Sequence, residues 1–262
     1  MWKEKEEKPI AMYLGLTFAI TWMTEAIIIL IEKMNLFSTT VTQVVAMLLI
    51  AVFAALAPGI SVYLLLRQRG KISGLKDYLK RVFACESKKS LVAGLALTFF
   101  YMAVFVICTE EQVPGRPWYI APFMLLFMIP GGGWEELGWR GFLQPALEEK
   151  FGFVSATVIM GAIWSIWHFP LWFIESASQK NFEFWAFSLY CVALSFLLAA
   201  AYKMTKSVIV PILLHAWANT MCGGIYTYHV LEYGPSVKGC LFFLGMILLA
   251  CLINAYYNEN KN

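Results

Sequence analysis

The chain has 262 residues, of which 60% are hydrophobic and 14% charged, and its mean hydropathy is +0.66; a water-soluble protein of this composition could not cover its surface. Its 20 Lys and Arg stand against 17 Asp and Glu, a balance that argues against a nucleic-acid binder drawing its affinity from neutralised phosphates. The 6 cysteines form no CxxC pair and lie mostly in or beside apolar runs, so they read as small apolar filler rather than as a disulfide framework.

Because crossing a hydrocarbon layer takes roughly 20 helical residues, the apolar runs predict an all-α, polytopic integral-membrane bundle of about eight transmembrane helices. The first, about 10–31, follows the mixed-charge MWKEKEEKPI with no A-x-A-like cleavage site, and is expected to be retained. Glu25 within it reads as a helix-packing partner for Thr or Trp groups. A second run covers about 41–66. The loop 67–90 then carries eight Lys and Arg, and apolar residues at helical spacing in GLKDYLKRVF predict an amphipathic helix on the anionic cytoplasmic leaflet. A third run covers about 91–108.

The fourth run, about 118–147, contains Glu135, Glu136 and Arg140, and Pro130 with Gly131, Gly132 and Gly133 is predicted to break its helix just before the acids. The fifth, about 153–174, holds His168, and a sixth covers about 182–202. The seventh, about 207–228, holds His215 and Asn219, and the eighth covers about 238–257. The third histidine, His229, reads as an interfacial residue near a helix end. Trp2, Trp118, Tyr119, Trp172, Tyr226 and Tyr228 near run ends fit an aromatic belt. With both termini on one face, that face receives fifteen of the Lys and Arg, against Lys33, Arg116, Lys180 and Lys238 on the other. A multi-pass protein of the cell membrane with cytoplasmic termini is the expectation.

Ionisable groups inside apolar spans mark functional sites by default. Glu136 and Arg140 are four apart and share a helix face, as do His215 and Asn219, while Glu135 points about 100° from Glu136. This suggests a structural ion pair, Glu136–Arg140, beside a reactive carboxylate, Glu135. Single groups of these kinds also serve as hydrogen-bonding glue between helices. Together, a carboxylate, two imidazoles and a carboxamide on three helices are the parts of amide hydrolysis: a base for water, an orienting group and donors for an oxyanion. Glu135, His168 and His215 could alternatively be the first shell of a zinc ion. There is no HExxH or GxSG, and Asp77 is the one aspartate, which excludes an aspartyl dyad.

The string EELGWRGFLQP at Glu135–Pro145 resembles the EExxxR signature of the CPBP family, the CAAX-protease and bacteriocin-processing (Abi) intramembrane proteases. WSIWH at Trp164–His168 resembles its FxxxH motif with Trp164 in place of Phe, and HAWAN at His215–Asn219 its HxxxN motif, all in family order. The resemblance implies a single membrane domain over 1–262 with a motif core at about 118–220. It implies Glu135 as the residue activating water with His168, His215 and Asn219 as the oxyanion pair, and Glu136 and Arg140 as their support. It also implies a bilayer setting, no committed cofactor with zinc left open, and a peptide or lipidated-protein substrate. The activity expected is endopeptidase cleavage of a membrane-associated peptide, either prenylated CAAX-like or of the leader, pheromone or bacteriocin type. The competing expectation is a non-catalytic scaffold or bacteriocin-immunity protein binding a peptide partner in the same cavity.

Overall fold

The computed structural model describes residues 9–36, 39–108, 112–222, 224–226, 229–232, 234 and 236–259. Among these there is no strand, and the chain forms α1 (Ile10–Lys33), α2 (Thr39–Leu49), α3 (Ala57–Gln68), α4 (Leu75–Val82), α5 (Lys88–Cys108), α6 (Ala121–Met128), α7 (Glu136–Gly138), α8 (Gln144–Trp167), α9 (Phe184–Thr205), α10 (Ile209–Met221), α11 (His229–Glu232) and α12 (Val237–Glu259). Trp2 and Tyr228 lie outside the described residues.

Four described stretches are long and apolar enough to cross a membrane: Ile10–Lys33, Trp118–Phe173, Phe184–Thr205 and Val237–Glu259. At 56 residues, the second is long enough for two crossings. It folds back at Gly152, whose φ of 73° lies outside the helical region and divides Gln144–Trp167 at the turn expected near 148–152. On α12, Leu241, Leu244, Leu248 and Leu252 form an exposed apolar stripe, and Met23, Ile27 and Leu30 do the same on α1. Such stripes suit hydrocarbon and would be a liability in water. The protein is a polytopic helical membrane bundle.

α9 occupies the centre. It packs along α8 and α12 and also touches α5 and α10, and its inward residues from Ala193 to Ala201 are buried without interruption. A helix apolar on all sides belongs inside a bundle. A Cβ on Gly161 of α8 would come within 2.5 Å of Val192 Cα, so the missing side chain is what lets the two backbones approach.

Two expectations differ from the structure in an informative way. The second run is a broken helix: Pro58 cannot donate to the carbonyl of Ala54, and the chain passes through a π-helical turn at Ile50–Ala54, where the Ala55 N–H bonds Ile50 O at 2.8 Å, before α3 begins. The basic loop does form its amphipathic helix, α4, but Tyr78 and Val82 turn its apolar face into the protein. The Tyr78 hydroxyl reaches Gly59 O at 3.3 Å and Leu137 O at 3.4 Å, which clamps α4 and α3 onto the segment that carries the acids. Lys76, Lys80 and Arg81 remain on its exposed side.

Trp118 and Tyr119 are exposed at the start of the fourth span, as an aromatic belt requires. Trp172 is different, because its indole N–H donates to Phe182 O at 2.7 Å and ties down the loop after α8.

Candidate active site

The site is built on the helix break that Pro130 and the glycines dictate. α6 ends at Met128, the Trp134 N–H bonds Ile129 O at 2.9 Å and the Glu135 N–H bonds Gly132 O at 3.0 Å, so the chain turns on itself and restarts as α7 at Glu136. A π-helical turn over Trp139–Leu143 follows and carries Arg140 inward. Glu135, Glu136 and Arg140 are all buried.

Glu136 is the hub. Its Oε1 accepts a 3.0 Å hydrogen bond from Arg140 Nη1 and a 2.9 Å bond from His215 Nδ1. A carboxylate can only accept, so the His215 proton sits on Nδ1 and the ring is fixed with Nε2 turned away from Glu136. Arg140 also donates through Nη2 to Ser195 Oγ on α9 at 2.9 Å, and its guanidinium lies 5.2 Å from the centre of the Trp164 ring. The ion pair read from the i, i+4 spacing is therefore present, and it ties α7, α8, α9 and α10 together. Ser195 was not singled out in the sequence; a lone hydroxyl inside the apolar run VALSFLLAAA is the signal that could have found it.

Glu135 faces elsewhere, as the 100° offset requires. Its Oε2 accepts a 2.7 Å bond from the Trp164 indole N–H, and its Oε1 lies 4.0 Å from His168 Nε2. His168 Nδ1 donates to Trp164 O at 2.8 Å, which leaves Nε2 with its lone pair on the Glu135 side. Trp164 therefore supplies more than shape where the family motif has Phe: its side chain holds the carboxylate, its carbonyl holds His168, and its ring lies 5.1 Å from that of His215 in an edge-to-face contact. Phe in its place would keep the ring contacts and lose the N–H.

The remaining element is an absent side chain. A Cβ on Gly132 would overlap Asn219 Nδ2 and lie 3.3 Å from His215 Nε2, so the glycine lets these two nitrogens converge on the backbone at the helix break. Its φ of 173° is extended backbone open to any residue, so the glycine answers to space rather than to conformation. The site thus gathers Glu135, His168, His215 and Asn219 from α7 and its approach, the end of α8, and α10.

Among the described residues, no three His, Cys, Asp or Glu side chains gather into a set that could hold a metal ion. Glu135, His168 and His215, the alternative zinc set, do not form such a group. Cys222 receives the Tyr190 hydroxyl at 3.6 Å and is buried, in keeping with core filler. His229 begins the short α11, outside this group.

Residues 117–221 match the family model described as Type II CAAX prenyl endopeptidase Rce1-like. The chain is also 24% identical over 232 residues to CAAX prenyl protease 2 of Methanococcus maripaludis, an alignment covering 79% of this chain and 82% of that protein. Three motifs on three helices of an apolar bundle, with these two likenesses across them, support a membrane protease of the CPBP type.

Proposed function

We propose that the protein is an endopeptidase that hydrolyses a peptide bond in a membrane-associated peptide, using water activated by Glu135. The observation that supports this best is the 4.0 Å separation of Glu135 Oε1 and His168 Nε2. Two acceptors that share the hydrogens of one water molecule, each about 2.8 Å from its oxygen, lie about 4.4 Å apart. A water held there gives one proton to Glu135 while its oxygen attacks the substrate carbonyl. The oxyanion faces Asn219 Nδ2 and His215 Nε2, the latter a donor when the imidazolium is stabilised by Glu136 through Nδ1. Collapse of the tetrahedral species breaks the C–N bond, and the amine leaves with a proton.

The name of the Methanococcus relative makes a prenylated CAAX peptide the first substrate to try, and a leader-bearing peptide the second. Protein purified into liposomes should cut a farnesylated CAAX peptide at one bond, identified by product mass. Absence of any cut, together with identical membrane and secreted peptides from cells with and without the protein, would overturn the reading. Asn219 gives a sharper internal check: Gly132→Ala puts a methyl group where the carboxamide lies and should lower kcat by about 100-fold, the usual cost of losing an oxyanion donor. Unchanged kcat in that variant would remove Asn219 from the oxyanion role.

In this reading the whole chain is one membrane domain with its motif core at about 118–220, lying in the cell membrane with both termini in the cytoplasm. The fifteen-to-four distribution of Lys and Arg supports that orientation. Reporter fusions active only outside the cytoplasm at either end would reverse it.

A further inference from the structure

Glu25 on α1 is 2% exposed, and its Oε2 is sealed from solvent with no hydrogen-bond partner. The groups expected to hold it as a packing partner are engaged elsewhere. The Thr24 hydroxyl donates to Ile20 O at 2.8 Å, the Thr21 hydroxyl to Ala54 O at 3.4 Å, and the Trp22 indole to Trp167 O at 3.1 Å. A carboxyl oxygen sealed inside a membrane with nothing to bind is costly to retain, so packing does not account for it.

Its neighbours fix where it points. The Trp167 indole N–H returns a 2.9 Å bond to Thr21 Oγ1, so Thr21 and Trp22 together clamp α1 to the end of α8, beside His168. Positions 21, 22 and 25 share a helix face, which sets Glu25 one turn further along the face that α1 presents to the Trp167–His168 corner. Two carboxyl groups therefore lie toward the same end of α8, one on α1 and one in the turn before α7, and only the second has a role so far.

Resting on the endopeptidase reading above, we propose that Glu25 is the acid of the site. As the tetrahedral species collapses, the carboxylic acid of Glu25 gives its proton to the departing nitrogen while the C–N bond breaks. Glu135 already holds the proton taken from the attacking water. Transfer of that proton from Glu135 to Glu25, through solvent, restores both groups, so one water is consumed and nothing is oxidised or reduced.

The leaving group provides the test. Wild type, Glu25→Gln and Glu135→Gln are compared on a farnesylated CAAX peptide with an ordinary amide at the cleaved position and on its counterpart with an ester there. An alkoxide departs with far less help from an acid than an amine does. Glu25→Gln should lose about 100-fold in kcat on the amide with KM within about 3-fold, and keep ester turnover within about 5-fold. Glu135→Gln should lose both. Equal loss on amide and ester in Glu25→Gln would make Glu25 structural, and unchanged amide turnover would remove it from the reaction. If Glu135→Gln keeps both activities, or wild type cuts neither substrate, the endopeptidase reading fails and the acid role with it. Should Glu25→Gln accumulate poorly, Glu25→Ala assayed with added formate decides: recovered amide turnover supports the role, and no recovery overturns it.

Discussion

Glu135→Gln is expected to lower peptide cleavage by about 1,000-fold in kcat while leaving the fold intact, in line with the loss of a general base. The carboxamide is the size of the carboxylate, and its oxygen can still accept the 2.7 Å bond from the Trp164 indole. What it cannot do is take a proton from water. Thermal unfolding and membrane abundance should therefore match wild type, while precursor peptides accumulate in membranes carrying the variant and not in those carrying wild type. A variant that retains full cleavage would refute the assignment of Glu135 as base. A variant that loses cleavage together with abundance would assign the residue to the scaffold.

The second large effect belongs to the hub beneath it. Glu136 and Arg140 are fully buried, 3.0 Å apart. Removing either one strips the other of the partner its burial depends on. Arg140→Ala leaves Glu136 with His215, and Glu136→Gln leaves Arg140 with the Ser195 hydroxyl and the face of Trp164. Each should lose about 3–5 kcal/mol of stability, the usual cost of breaking a buried pair from one side. Thermal unfolding in detergent measures it. The variant lacking both charges should lose less than the sum of the single losses, because the second removal relieves the charge stranded by the first. Unfolding midpoints equal to wild type in both single variants would mean that the pair does not hold the helices together.

Helical periodicity carried the sequence reading a long way at this site. The i, i+4 rule put Glu136 with Arg140, the 100° offset turned Glu135 aside, and Pro130 with its glycines marked where the helix would stop. Those are relations within one helix, and a single sequence contains them. The bond from His215 to Glu136 joins α10 to α7, the Ser195 contact joins α9 to α7, and the approach of Gly132 to Asn219 depends on how two helix ends meet. Such distances follow from packing between segments far apart in the chain, and no local spacing encodes them. Trp164 lies between the cases: its place in the motif was legible, whereas the direction of its N–H was not. The break at Pro58 was available from the residue itself, but a continuous apolar run concealed it, since hydropathy registers composition and not the missing donor.

The helix break also fixes a depth. Three tight-helix residues from Trp118 and the eight of α6 put about 18 Å of chain between the exposed Trp118 and the turn that bears Glu135. In the other direction, Glu136 to the reversal at Gly152 is about 24 Å. On the endopeptidase reading, a scissile bond brought to Glu135 from either face has to cover a comparable depth. Extended chain covers about 3.4 Å per residue, so roughly five unfolded residues have to hang free before the bond comes within range. A protease built this way would measure its substrates before it read them, admitting a loose tail of sufficient length and refusing the same sequence held close against a folded body.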